Sequence, residues 1–278
     1  MIEYATDFQP AVDELFTTES KTALVTNQNF TWTGAHSIKI YKIGSASMSD
    51  YQRNAKVLDG NKSRYGVIET LEAGTEEMTI TQDRSFTFAI DKLDQDETKA
   101  ALEAASALAR QQREKVIPER DSYIYSVMCA KAGIKPAAEA LTADNIYQKI
   151  VAAGVAMDEA EVPQDGRVLI LTPTNYALLK ASSAVFQNSD IGVELRKQGV
   201  VDRLDGLNVV KIASNRLPEG FGFLIAHPCA TVAPTKLEQY NVHRDPPFIS
   251  GSLVEGRITY DAFVLANKSK ALFYQAIA

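Results

Sequence analysis

The residues that could do chemistry are few, and their spacing matches no familiar constellation. His227-Pro-Cys229 places two soft ligands together, and Cys129 or His243 could complete a zinc set, yet no standard ligand pair is spaced this way. A strand end with a buried thiol accounts for the same residues. Gly220-Phe-Gly222 is the one glycine pair beside an apolar run, and it reads as a turn, because neither G-x-x-x-x-G-K nor G-x-G-x-x-G occurs to cradle a phosphate. Glu194, Asp202 and Asp205 share a polar stretch and could be imagined as acid and base, but no positioned partner is predicted and a solvated loop explains them. There is no G-x-S-x-G elbow and no H-E-x-x-H, and three histidines and one tryptophan leave catalysis little to use. The expectation is a protein that is not an enzyme and takes no cofactor or metal. The remaining pattern is electrostatic: basic Arg53, Lys56, Lys62 and Arg64 precede acidic Glu69, Glu72, Glu76, Glu77 and Asp83. Such a run is either a solvated face or a projecting two-signed element that finds a complementary surface on a neighbour.

These charges sit in a chain of 278 residues, 45% hydrophobic and 23% charged, which is ordinary globular composition with length for roughly two domains. A chain this long buries about three quarters of its unfolded surface, so its core needs no metal or disulfide. The net charge of −6 argues against a protein whose affinity comes from neutralising phosphates. Cys129 and Cys229 stand far apart without C-x-x-C partners, as free thiols in a reducing compartment do. Neither a secretory leader nor a run of about 18 apolar residues is present, and the reading is a soluble intracellular protein without a membrane.

Along the chain, residues 1–35 are too poor in apolar groups for a core of their own: Phe8, Val12, Leu15 and Phe16 run into a polar stretch ending at Trp32-Thr-Gly34, an arm that must lie on something else. Ser37-Ile-Lys-Ile-Tyr-Lys-Ile43 alternates as a strand. Residues 44–65 lose all pattern and read as a long exposed excursion with few apolar groups. Val67–71 and 77–82 around Ala73-Gly-Thr75 predict a hairpin, followed by a strand over 85–90. Asp94-Gln-Asp-Glu97 is a capping box opening a helix to about Val116, which Pro118 kinks before it resumes to about Gly133. Its sparse apolar content suits a rod lying across a surface.

From Leu141 the texture becomes α/β: a helix through Ile146, Ile150 and Met157, a strand over 167–171, a Thr172-Pro173 cap opening a second helix, a loop over 182–205, and strands over 207–212 and 222–226. After Pro234, residues 253–260, 261–265 and 271–274 supply strands expected to pair with the first half, so that one domain is discontinuous and the other inserted into it.

An unpacked arm, a long excursion, a thin helix, an inserted α/β domain and a strand-rich return resemble the tailed-bacteriophage major capsid protein, whose shell fold is shared with encapsulins. The resemblance is carried most sharply by Gly166-Arg-Val-Leu-Ile-Leu-Thr-Pro-Thr-Asn-Tyr-Ala-Leu-Leu-Lys180, Gly199-Val-Val-Asp-Arg-Leu-Asp-Gly-Leu-Asn-Val209 and Thr259-Tyr-Asp-Ala-Phe-Val-Leu-Ala-Asn-Lys268. It implies an α+β, Hong Kong 97-like fold: an N-terminal arm at 1–35, a peripheral-domain strand at 36–43, an extended β-hairpin E-loop at 44–90, a spine helix with peripheral domain at 91–140, an inserted axial domain at 141–233, and peripheral return strands at 234–278. It also implies a structural function. Many copies would form hexamers and pentamers of an icosahedral shell that encloses double-stranded DNA without reading its sequence. Arg53, Lys56, Lys62, Arg64, Glu69, Glu72, Glu76 and Glu77 would be contacts between subunits. The arm begins almost at Met1, so a separate scaffolding protein is the expected partner, with a portal and a possible decoration protein, in a virion capsid assembled in the host cytoplasm. No Lys and Asn pair matches the covalent cross-links of some members. An encapsulin-like compartment and a small cytosolic α/β enzyme are the alternatives.

Overall fold

The computed structural model describes residues 19–27, 37–54, 62–71, 73–97, 103–182 and 203–278. The amphipathic stretch over 8–16, Trp32, Lys56, Glu72, Glu194 and Asp202 lie outside the described residues. Contacts divide the chain into two units, Thr33–Ile80 and a larger one formed by Met1–Trp32 with Thr81–Ala278.

In the smaller unit, β1 (Ser37–Ile43), β2 (Lys62–Ser63), β3 (Gly66–Val67) and β4 (Ala73–Thr79) make two antiparallel pairs. β1 occupies the residues its alternation predicts. The hairpin expected around Ala73-Gly-Thr75 does not form: these residues open β4, whose seven positions pair with β1 from Ser37↔Thr79 to Ile43↔Ala73. A full ladder outweighs the turn propensity of one Ala-Gly step, and a glycine with no close cross-strand neighbour is tolerated in it. The turn of the excursion lies instead between β2 and β3, with Arg64 and Tyr65 between paired Ser63 and Gly66. Gly66 has φ +102°, and a Cβ there would fall 2.5 Å from Ser49 Cβ, so only glycine fits.

The larger unit runs β5 (Gln82–Asp91), α1 (Lys92–Glu97), α2 (Ala104–Gln111), a π turn at Gln112–Val116, α3 (Ile117–Lys131), α4 (Ile146–Glu159), β6 (Val168–Leu171) and α5 (Pro173–Ala181). It continues with β7 (Arg203–Leu204), β8 (Leu207–Lys211), β9 (Phe221–Ala226), β10 (Thr231–Val232), β11 (Thr235–Arg244), β12 (Gly251–Tyr260), β13 (Phe263–Val264) and β14 (Leu272–Ala276). Helix and sheet are mixed, and two cores result.

The first core lies under an antiparallel sheet of order β11-β12-β5. β5, placed by sequence at the end of the excursion, thus belongs to the larger unit. Ala104 and Ala107 of α2 pack on Ile90 and Val254, with Phe86, Phe88 and Leu108 at the margin. Gly256 lets the Phe86 and Tyr240 rings lie over its strand, since a Cβ there would come 2.3 Å from Phe86 Cε1. The expected cap at Asp94 sits three residues inside the structure's own start: Asp91 Oδ1 accepts the Leu93 amide at 2.8 Å. Glu103 then has an extended backbone, so the rod is broken before α2. Pro118 lies in the first turn of α3, directly after the π turn, where its missing amide is accommodated without ending the helix.

The second core surrounds a five-stranded sheet of order β14-β9-β6-β8-β7, in which β6 and β8 are parallel and every other pair antiparallel. β6 and β9 are buried at every position, which is why they read as continuous apolar runs. The Thr172 cap forms as expected, its Oγ1 accepting the Asn175 amide at 3.1 Å. Two expectations fail here. The rod does not merely lie on a surface, because Ile124, Tyr125, Met128 and Cys129 of α3 enter this core. The last strand does not return to the first half either: β12 pairs with β5, but β14 lies beside β9 and closes the α/β sheet.

Candidate interaction surface

The excursion exposes apolar side chains that the sequence reading passed over. Ile43, Met48, Tyr51, Tyr65, Val67, Ile68 and Leu71 are all half or more exposed, with Tyr65 at 80% and Met48 at 99%. Elsewhere among the described residues, exposed large apolar groups are scattered, at Leu24, Leu93, Val151, Val155, Val242 and Phe248. Such a concentration on so short a segment is characteristic of surfaces that meet another molecule. Its local order is real: Tyr51 and Tyr65 meet edge to face with centroids 5.0 Å apart, and the Gln52 amide donates to the Arg64 carbonyl at 3.0 Å. Met48, Tyr51 and Tyr65 follow no period, and Ile43, Val67, Ile68 and Leu71 read as strand positions, so none of them stood out as surface.

The charged candidates are less available than their order suggests. Glu76 pairs with Lys42 at 3.0 Å across the β1–β4 ladder. The Glu69 carboxylate accepts from the Ser47 hydroxyl at 3.0 Å and from its amide at 3.3 Å. Arg64 and Glu77 also have interactions within the chain. Arg53 is exposed and has no partner among the described residues. Lys62 is in β2, with only its backbone described, and Lys56 and Glu72 fall outside.

Two buried carboxylates, neither singled out in the sequence, organise the larger unit. Asp261 accepts from the Thr81 amide at 2.8 Å, the Thr81 hydroxyl at 2.9 Å, the Tyr123 hydroxyl at 2.8 Å and the Ala262 amide at 2.7 Å. It fixes the point where the chain re-enters this unit after the excursion. Burial and the bond to Asp261 both push the Tyr123 hydroxyl above its ordinary pKa. Asp121 accepts from Arg216 Nη1 at 2.8 Å and the Ser20 hydroxyl at 2.7 Å, joining α3 to the turn at Ser214–Arg216 and to the N-terminal segment.

Of the residues weighed for metal or acid–base chemistry, Glu194 and Asp202 lie outside the described residues, and those described have other surroundings. His227 Nδ1 accepts the Cys229 amide at 3.2 Å, while Nε2 faces the Asp165 carbonyl at 3.0 Å. Burial pushes the Cys129 thiol up to about 12, against a smaller opposing pull from Lys135. Asp205 lies in the tight turn between β7 and β8 with φ 48°, beside Gly206 at φ 79°. No helix among the described residues is long and apolar enough to cross a membrane.

No protein-family model matches the chain, and no curated protein matches it by sequence. Solved structures do. The capsid structure of the cyanophage P-SCSP1u superposes with a TM-score of 0.77 at 17% identity, over 99% of this chain and 93% of that one. The mature capsid of bacteriophage PhiM1 superposes equally well, at 15% identity over 99% and 92%. The chain has the fold of a phage capsid protein. A virus-like particle from Pyrococcus furiosus is more distant, with a TM-score of 0.52 at 14% identity over 92% of both chains. Phage capsid structures therefore share more of this architecture than that particle does, and what they share extends over both the excursion and the larger unit.

Proposed function

We propose that this chain is the major capsid protein of a tailed bacteriophage, building hexamers and pentamers of an icosahedral virion shell around packaged double-stranded DNA. The observation that carries the reading is the match to capsid structures over nearly the whole length of both chains, excursion included. In this Hong Kong 97-like reading, residues 1–35 are the arm, 44–80 the E-loop, α2 and α3 the spine, and the five-stranded sheet with α4 and α5 the axial domain. The excess of acidic over basic residues suits a wall that contains DNA without gripping it. A separate scaffolding protein that sets the size of a shell whose subunits associate by themselves, a portal and any decoration protein complete the assembly, which takes place in the host cytoplasm. An encapsulin-like compartment is the second reading; the greater similarity to phage capsids favours the first.

The excursion supplies contacts between subunits through its exposed apolar residues, with Arg53, Lys56, Lys62 and Arg64 setting the match to the neighbour. An exposed ion pair contributes only roughly 0.2–1 kcal/mol, so one charge change is tolerated, but four reversals recur at every contact of a closed shell. The chain expressed alone should sediment as particles. The variant with all four residues changed to Glu should keep its far-UV circular dichroism and fail to form shells, or form them only at raised salt. Wild-type chain that stays monomeric contradicts the capsid reading, and normal particles from the variant at low salt contradict the role of these charges.

A further inference from the structure

The β11–β12 hairpin ends in Arg244-Asp-Pro-Pro-Phe-Ile-Ser-Gly251, and two of its non-glycine residues adopt left-handed backbone, Asp245 at φ 46° and Phe248 at φ 72°. That region is disfavoured for a bulky L-residue, and most of all for one that gains nothing by being there. The loop is nevertheless held in shape. The Asp245 amide donates to the Gly251 carbonyl at 2.7 Å, the Ile249 amide to Pro246 at 3.2 Å, and the Lys92 amide to Ser250 at 3.2 Å. Two prolines fix two more φ angles. Gly251 at the base sits so close to β5 that a Cβ would fall 2.2 Å from the Ile90 carbonyl oxygen. The result is a rigid turn that presents Phe248 fully to solvent, at 106% of its reference exposure.

A hairpin needing only to turn would place glycine or asparagine at such a position, as this chain does with Gly66 and Gly206. An exposed aromatic on a locally disfavoured, rigidly held backbone points to a partner. It is a suitable anchor, because a ring already fixed in place loses little freedom on docking. We infer that Phe248 inserts into an apolar recess on a second copy of this chain. This rests on the reading that the chain assembles with itself. The chain also displays the apolar surface a ring would seek, at Tyr65, Val67 and Ile68. Arg244 and Asp245 beside the ring carry opposite charges, so the loop asks for no charged partner.

Phe248→Gly separates the two roles by sign. Relieving the left-handed backbone should leave the isolated subunit at least as resistant to urea as wild type, while the concentration needed for assembly rises roughly 30-fold, the ordinary loss when a buried anchor is truncated. A photo-reactive benzoylphenylalanine in place of Phe248 should, in assembled particles, give an adduct at twice the 30.4 kDa monomer mass. Assembly of Phe248→Gly at the wild-type concentration overturns the inference. So does an adduct formed only with another protein, or no adduct in particles that do form. If the wild-type chain never assembles, the shell reading falls and this inference with it; if wild type assembles and Phe248→Gly assembles equally, this inference alone falls.

Discussion

The Asp121–Arg216 pair gives the sharpest energetic prediction. Its side chains are 1% and 5% exposed, so both charges have left water. Arg216→Met keeps most of the side-chain volume and removes the cation, leaving the Asp121 carboxylate, among the described residues, with neutral hydroxyl donors, Ser20 at 2.7 Å and Thr22 at 3.5 Å. Stranding one charge of a buried pair costs about 3–5 kcal/mol. With a urea dependence of about 3 kcal/mol per molar, the unfolding midpoint should fall by roughly 1–1.7 M. Asp121→Leu combined with Arg216→Met removes both desolvation costs and should recover more than half of that loss. Urea unfolding of dissociated subunits, followed by far-UV circular dichroism, measures both variants. A shift below about 0.3 M for Arg216→Met, or a double variant no better than the single one, would refute the view that this pair is buried and mutually dependent.

The remaining predictions follow from the two cores and the shifted groups. A fragment spanning 141–233 should show no cooperative unfolding, because it lacks Tyr125 and Met128 of α3 and Leu272 of β14, all fully buried. Losing each costs roughly 2–5 kcal/mol, which together reaches the roughly 5–15 kcal/mol by which a domain is stable; a sharp transition would contradict the continuity of that core. Arg257, bonded to Asp83 at 2.9 and 2.5 Å, holds that carboxyl below the usual aspartate range. The pair therefore contributes stability above the unfolded value of about 3.9, and loses it as pH falls through the lower folded-state value. In Arg257→Gln, the Asp83 carboxyl resonance should titrate higher by NMR, and an unmoved titration would count against the pairing. Cys129, with its thiol pushed up to about 12, should resist a thiol reagent at pH 8 until the chain unfolds, while half-buried Cys229 reacts first; rapid reaction of both would place Cys129 at the surface.

Much of the architecture was legible where the signal is local. β1 is an alternating run, β6 and β9 are apolar runs, and Thr172-Pro173 carries its own cap, so each could be placed without its partners. The failures depend on distant residues. Ala73-Gly-Thr75 looks like a turn until β1 pairs with it. β11 was not anticipated because its polar side chains hide the alternation, and its strand state is supported by β12. β14 carries the apolar signature of a strand but no mark of which sheet it joins. The rod was judged by its average composition, whereas its apolar residues gather in Tyr123–129 and meet the α/β core. Among functional candidates, sequence order exposed the charges but not that Lys42 and Ser47 already engage two of them. Asp261 and Thr81 are 180 positions apart, and nothing in either segment announces their contact.

In the proposed assembly, copies of this chain close into a shell by burying the exposed apolar residues of the excursion. Cryo-electron microscopy of particles formed by the purified chain tests it directly. The expected result is a closed icosahedral shell in which Tyr51, Tyr65 and Ile68 of each subunit are covered by a neighbouring copy. A preparation that remains a 30.4 kDa monomer at every concentration, or shells in which those side chains face solvent, would contradict it.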